Sequence, residues 1–135
     1  MDKSVNMLIR DKSFFMDTGF ENLKTGRLGE AVAVNFLVNK GFSIIERNYQ
    51  TKIGEIDIIA EKDNVVFFIE VKSTAGSYRS SYRPIERIGY RKQKKLKKLV
   101  ELCQNIISGR RPELWAIEVF LDSSAKEAFV NMVLL

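Results

Sequence analysis

The 135-residue chain contains no histidine, a single cysteine and two prolines. The lack of histidine excludes a histidine general base, the usual serine and cysteine triads, and zinc sites that need imidazole ligands. The lone Cys103 excludes an internal disulfide and favours a reducing compartment. The chain also lacks an apolar run approaching the ~18 residues of a membrane span, and residues 1–5 lack the apolar stretch of a signal peptide. These absences predict a cytoplasmic protein whose chemistry would depend on carboxylates, lysines or hydroxyl groups.

The remaining composition is that of a globular protein, with 45% hydrophobic and 29% charged residues. We predict an N-terminal arm over residues 1–23, where no clear period links the apolar residues, and a single domain over residues 24–135. The net charge of +5 favours a polyanionic partner, with an acidic membrane surface as the weaker alternative.

Hydrophobic periodicity and turn residues predict two helices and five strands in an α/β fold. A central sheet flanked by helices would follow from the order α-β-β-β-α-β-β. The first helix would end at Gly41, and the second would break near Gly89. The expected helices cover residues 25–40 and 85–108, and the expected strands cover residues 43–50, 55–60, 65–71, 114–121 and 127–134.

The central hairpin fixes the most informative register. Asp63 and Asn64 tolerate the positive φ angles of a two-residue turn, so Lys62 would pair with Val65 and later pairs would have numbers summing to 127. Asp57 would then lie opposite Glu70. Glu55 and Lys72 would lie on the same face, with Ile56, Ile58, Ile69 and Val71 on the other. A three-residue turn would instead separate Asp57 from Glu70.

Two facing carboxylates repel each other, and a cation between them would remove that repulsion. An oxygen-only pair suits Mg²⁺, which is typically bound by one or two carboxylates and waters. The alternative is a solvated, charged hairpin face. Glu30 has two readings as well: an acid in the first helical turn interacting with the helix dipole, or a third carboxylate over the sheet.

A basic segment covers residues 79–98. Its nine cations are opposed only by Glu86, so the segment carries +8 and the rest of the chain −3. Phosphates would neutralise this charge, and Tyr78, Tyr82 and Tyr90 could stack on bases. The alternative is a solvated helix face. The cations are Arg79, Arg83, Arg87, Arg91, Lys92, Lys94, Lys95, Lys97 and Lys98.

Four short stretches together resemble the YraN-like family of small bacterial proteins. That family is similar to archaeal Holliday-junction resolvases and to the wider restriction-endonuclease-like, PD-(D/E)xK, superfamily. The resemblance covers roughly residues 25–99, and Asp57, Glu70 and Lys72 match the nuclease signature, with Ile56 in place of its proline. Residues 114–118 lack the Arg-Phe-Asp usual in this family. The stretches are 26–30 (GRLGE), 46–49 (ERNY), 54–60 (GEIDIIA) and 68–72 (FIEVK).

The resemblance implies a restriction-endonuclease-like core and a Mg²⁺- or Mn²⁺-dependent nuclease. By this resemblance Asp57 and Glu70, with the Val71 carbonyl, would bind the metal. The implied catalytic residues are Glu30, Asp57, Glu70, Lys72 and Gln93. The cations of the basic segment other than Lys97 are expected to contact nucleic acid.

The sequence therefore predicts a deoxyribonuclease for branched or structured DNA, with a homodimer as a further expectation. Two alternatives stay open. One is a non-catalytic nucleic-acid-binding or assembly protein with the nuclease fold, and the other is a basic domain that binds an acidic protein. No feature distinguishes DNA from RNA as the partner.

Overall fold

The computed structural model describes residues 5–10 and 25–135. Within these residues the predicted order α-β-β-β-α-β-β is present, preceded by one further strand. The strands are β1 (Val5–Ile9), β2 (Ser43–Thr51), β3 (Gly54–Lys62), β4 (Val65–Ala75), β5 (Arg111–Asp122) and β6 (Glu127–Leu134). The helices are α1 (Thr25–Asn39), a 3-10 turn (Pro84–Arg87), α2 (Tyr90–Glu101) and α3 (Gln104–Ile107).

The six strands form one mixed sheet in the order β1-β6-β5-β4-β3-β2. Only β4 and β5 are parallel, and every other neighbouring pair is antiparallel. A parallel pair needs a long crossover, which here contains the 3-10 turn, α2 and α3. The predicted α/β class, with a restriction-endonuclease-like mixed sheet flanked by helices, is confirmed.

The hairpin register is the one that the two-residue turn predicts. Asp63 and Asn64 have φ angles of +51° and +62°, and the ladder runs from Lys62–Val65 to Ile58–Ile69. Beyond Ile69 the ladder stops, and the Asp57 carboxylate accepts the backbone N–H of Val71 at 2.8 Å. Asp57 thus lies where β3 and β4 cease to pair.

Two hydrophobic cores cover the two faces of the sheet. The first lies under α1 and includes Phe36, Ile58 and Ile69. The second lies under α2 and includes Ile59, Phe68 and Leu96. The prediction for Ile56 was wrong, because Ile56 packs in the second core while Ile58 packs in the first. Strict alternation along β3 is therefore interrupted at Asp57, where the ladder to β4 also ends.

The helix predicted over residues 85–108 is broken twice. The predicted break at Gly89 is present, between the 3-10 turn and α2. A second break, at Leu102–Cys103, was not predicted; α3 beyond it returns Ile107 to the core that holds Leu96. No helix in the described part of the chain is long and apolar enough to cross a membrane.

The N-terminal arm supplies an edge strand. Residues of β1 pair antiparallel with β6, from Val5–Met132 to Ile9–Ala128, and Ile9 is buried in the first core. The apolar residues 14–16 and the proposed boundary at residue 23 lie outside the described residues. The helix α1 begins at Thr25, the first described residue after this gap.

Candidate active site

Close packing of α1 on β4 brings Glu30 to the sheet. A Cβ atom on Gly29 would lie 2.2 Å from Ser73 Oγ, so only glycine allows this approach. Ser73 Oγ also donates to the carbonyl of Thr25 at 3.3 Å. The helix is thereby held against the end of β4 that carries Glu70 and Lys72, and the next residue, Glu30, is close enough to interact electrostatically with Glu70.

Asp57, Glu70, Glu30 and Glu55 form a cluster of acids in which Asp57 has the most strongly shifted pKa. Burial raises its pKa to about 7, and the negative charges of Glu70, Glu30 and Glu55 act in the same direction. The hydrogen bond from the Val71 N–H opposes the rise but does not cancel it. Acids with raised pKa values cluster at functional sites, because burial beside like charges is otherwise unfavourable.

Glu70 is buried, with 5% of its surface exposed. Two lysines approach the same carboxylate oxygen, Oε1. Lys72 Nζ from β4 lies 3.4 Å away, and Lys92 Nζ from α2 lies 3.5 Å away. The structure therefore brings Lys92 of the basic helix into the carboxylate cluster, where the sequence analysis placed Lys72 and, from that helix, Gln93.

Asn48 joins Glu30 to Glu55. With its amide nitrogen turned toward the acids, Asn48 donates to Glu30 Oε1 at 3.1 Å and to Glu55 Oε1 at 3.0 Å. Its backbone is left-handed, with φ of +52°, a conformation that asparagine tolerates better than most residues. The pKa of Glu30 is nonetheless raised, because burial and the charges of Glu55 and Glu70 outweigh Arg47 and the Asn48 hydrogen bond.

The acids of the cluster offer two carboxylates for a metal ion, Asp57 and Glu70. No three acidic or cysteine side chains within residues 5–10 and 25–135 are grouped closely enough to hold one by themselves. Glu70 is close enough to Asp57 for its negative charge to disfavour ionisation of Asp57, as the raised pKa of Asp57 indicates. Two carboxylates completed by water and backbone oxygen fit Mg²⁺, which needs few protein ligands.

Two other predicted site residues have contacts of a different kind. Gln93 donates its side-chain amide to the carbonyl of Ile88 at 3.2 Å, within the start of α2. The contact recorded for Val71 is its N–H to Asp57, and the role of its carbonyl in metal binding stays a prediction.

The arginines of the basic segment before α2 bind the protein itself. Arg79 pairs with Glu127 at 3.2 Å, and Arg87 donates to the Ser73 carbonyl at 2.6 Å. Arg83 places two guanidinium nitrogens on Glu118. These side chains fasten the polar loop to the sheet, so a role in nucleic-acid contact would be additional to this one.

The cations of α2 point in more than one direction. Four of them surround a shallow concavity of about 260 Å³, on a different part of the helix from Lys92: Arg91, Lys94, Lys95 and Lys98. Of the three tyrosines, Tyr78 is stacked on Phe129 at 4.1 Å and lies beneath Arg79, so both of its faces are covered. Tyr90, with 79% of its surface exposed, and Tyr82, with 43%, remain open for stacking.

Sequence reasoning missed Glu118, which is fully buried. Its carboxylate accepts two hydrogen bonds from Arg83, one from the backbone N–H of Ile85 at 3.0 Å, and one from Asn131 at 3.1 Å. Burial favours the neutral acid, but these hydrogen bonds outweigh it and lower the pKa of Glu118. In the sequence, Glu118 is the one charged residue of the apolar run 114–121, and this pattern could have indicated a buried acid.

Comparisons with known proteins agree with the motifs. Residues 29–118 match the family described as "Uncharacterised protein family UPF0102". A UPF0102 protein of Campylobacter lari is 57% identical over 58 residues, which cover 43% of this chain and 52% of that protein. The chain thus spans about half the length of that relative.

A longer match is to a UPF0102 protein of Caldicellulosiruptor bescii. It is 34% identical over 119 residues, covering 83% of this chain and 96% of that protein. The matched region contains the hairpin acids, the basic helix and Glu118. The chain therefore belongs to the UPF0102 family, the YraN-like family that its sequence motifs indicate.

Proposed function

We propose that this protein is a metal-dependent endonuclease that hydrolyses phosphodiester bonds in branched or structured DNA. The observation that carries the proposal is the cluster of Asp57, Glu70 and Lys72 beside the basic helix α2. A protein that only binds nucleic acid has no use for buried carboxylates that repel phosphates, whereas a phosphodiester hydrolase needs them.

Asp57 and Glu70 would hold Mg²⁺ or Mn²⁺, which would polarise the scissile phosphate and make a bound water a better nucleophile. The Val71 N–H orients the Asp57 carboxylate. Lys72 donates to the phosphate as charge develops on its oxygens. Glu30, which accepts a hydrogen bond from Asn48, would act as an outer ligand of the metal. The lysines of α2 supply affinity for the phosphate backbone.

A non-catalytic nucleic-acid-binding or assembly protein is the second candidate. The observation that favours it is that no third acid completes a metal-binding group in the part of the chain that the structure describes. This candidate predicts salt-sensitive binding of nucleic acid without strand cleavage, whichever divalent ion is supplied.

The deciding experiment is cleavage of labelled four-way junction, flap, single-stranded and duplex DNA, with an RNA junction alongside. We expect Mg²⁺- or Mn²⁺-dependent cutting of the branched DNA, and a fall of ~100-fold or more in Asp57→Asn and Lys72→Ala. Lys52→Ala and Asp63→Asn, which change exposed charges in the turns before β3 and before β4, are the matched controls.

A second readout does not depend on activity. Mg²⁺ that binds the folded protein raises its melting temperature, and Asp57→Asn should abolish the rise.

Because resolution of a four-way junction needs two cuts, we propose that two copies of the protein act together. Light scattering of the DNA complex tests this number of copies. Tight binding of every substrate without cutting would leave the binding protein as the function.

A further inference from the structure

One lysine of α2 faces a different way from its neighbours. Lys92 lies four residues before Leu96 and seven before Leu99, both of which are buried against the sheet. This spacing places Lys92 on the sheet-facing side of the helix. Its Nζ accordingly reaches Glu70 Oε1 at 3.5 Å, whereas Lys94 and Lys98 line the outer concavity.

Lys72 and Lys92 share a single carboxylate oxygen. They come from different elements, β4 and α2, and lie 3.4 and 3.5 Å from Glu70 Oε1. Two ammonium groups held this close repel each other, and one carboxylate carries the charge to neutralise only one of them. These three groups, taken without the neighbouring acids Asp57 and Glu30, therefore carry a surplus of one positive charge.

The surplus charge is accessible from solvent. The Lys72 and Lys92 side chains are 26% and 41% exposed, while the Glu70 side chain beneath them is 6% exposed. An anion arriving from solvent can contact both ammonium groups without displacing the carboxylate. A phosphodiester carries a negative charge on two non-bridging oxygens, which can each accept a hydrogen bond from one of these two ammonium groups.

We propose that Lys72 and Lys92 together bind one phosphate group, and that Lys92 contacts the scissile phosphate as a second catalytic lysine. The proposal deepens the nuclease function and rests on it for the catalytic role. In the reaction a water oxygen bonds to phosphorus and the bond to the leaving oxygen breaks. The proton lost by the water is balanced by the one that the leaving oxygen gains. Lys92 keeps its protons and stabilises the charge on a non-bridging oxygen.

The first test is single-turnover cleavage at saturating DNA. We expect Lys92→Ala to lower the saturating rate by about 100-fold, and Lys92→Arg to restore part of it. Lys94→Ala should weaken DNA binding, because an outward cation contributes to affinity for the backbone. Lys52→Ala, outside both the cluster and the basic segment, is the control for loss of one surface charge.

The second test needs no cleavage. Inorganic phosphate, in EDTA and against chloride of equal ionic strength, should raise the melting temperature of the wild-type protein. The shift should disappear in Lys92→Ala and Lys72→Ala, and persist in Lys52→Ala. Because each variant is compared with itself in chloride, a change in its basal stability does not affect this result.

The outcomes separate the two proposals. A phosphate shift that depends on Lys92, in a protein that cuts no nucleic acid, would support the phosphate site and overturn the nuclease. Cleavage that proceeds equally well in Lys92→Ala would overturn the catalytic role of Lys92 and leave the nuclease standing. A wild-type protein with no phosphate-specific shift would overturn the two-lysine site.

Discussion

Two buried acids on adjacent strands have opposite surroundings. Glu118 on β5 is fully buried and Glu70 on β4 is 5% exposed, and Lys72, two residues after Glu70, is the register partner of Glu118. Glu118 is enclosed by donors from Arg83, Ile85 and Asn131. Glu70 instead has two ammonium groups on its solvent side and a second acid, Asp57, nearby.

Burial alone therefore does not mark a functional acid. The Glu118 carboxylate accepts all its hydrogen bonds from groups of the protein, and these bonds hold the segment of Arg83 and Ile85 against the sheet. Glu70 instead contacts two lysines whose ammonium groups are partly exposed, so a ligand from solvent can reach these groups.

The largest effect is expected from removing the partner of the enclosed acid. Arg83→Met would leave the Glu118 carboxylate buried without its charge partner, and should lower the free energy of unfolding by about 3 kcal/mol. Lys72→Met should change it by less than about 1 kcal/mol, because Glu70 keeps Lys92 and lies close to solvent. Urea denaturation of both variants measures this.

Arg91→Met is the control for Arg83→Met, since it removes an exposed arginine at the outer concavity. Equal destabilisation by Arg83→Met and Lys72→Met would contradict the distinction between an enclosed and an open acid. It would show instead that both carboxylates are structural.

A second prediction concerns the sign of two pH dependences. The folded-state pKa of Asp57 is raised from 3.8 to about 7. Its contribution to stability is therefore complete below about pH 4 and is lost as pH rises through 7. The pKa of Glu118 is lowered from 4.5, so its contribution is present above about pH 4.5 and is lost as the solution becomes more acidic.

As pH rises from 4 to 8, the free energy of unfolding of Asp57→Asn should accordingly increase relative to that of the wild type, by an amount on the order of 2 kcal/mol. Glu118→Gln should be most destabilised at neutral pH and least in acid. Thermal or urea unfolding in EDTA at pH 4, 6 and 8 measures both differences. Parallel pH profiles for the two variants would contradict the assigned environments.

The smallest effect is expected at Asn48. Asn48→Gly keeps the left-handed backbone but removes both hydrogen bonds to Glu30 and Glu55. Because Asn48 is exposed, we expect a loss of only about 0.5–1 kcal/mol. If Asn48 positions Glu30, the loss should shrink when Glu30 is already glutamine, and a double-mutant cycle of unfolding free energies measures this coupling.

Local chemistry made much of the site predictable. The Asp63–Asn64 turn determines the hairpin register as far as the Ile58–Ile69 pair, and the next residue on each strand, Asp57 and Glu70, is close enough to interact electrostatically. Gly41, with φ of +89°, ends α1 as expected. Each of these features depends on residues a few positions apart, where propensity and alternation act directly.

Contacts between distant segments were not predictable. Arg83 and Glu118 are 35 positions apart, and nothing in either stretch indicates that they pair. The spacing to Leu96 and Leu99 turns Lys92 toward the sheet, but its contact with Glu70 depends on where the packing of these leucines places α2. The interruption of alternation at Ile56 likewise depends on where β3 leaves β4, which a regular strand pattern does not anticipate.

The order of five of the strands and of the two main helical segments, the central hairpin, the absence of histidine chemistry and the excess of positive charge in one segment all follow from composition and short-range spacing. Which cation meets which acid, and which acids are enclosed, follows from the fold. The reason is that the crossover between the parallel strands β4 and β5, and the packing of helices on both faces of one sheet, bring together side chains that are far apart in the sequence.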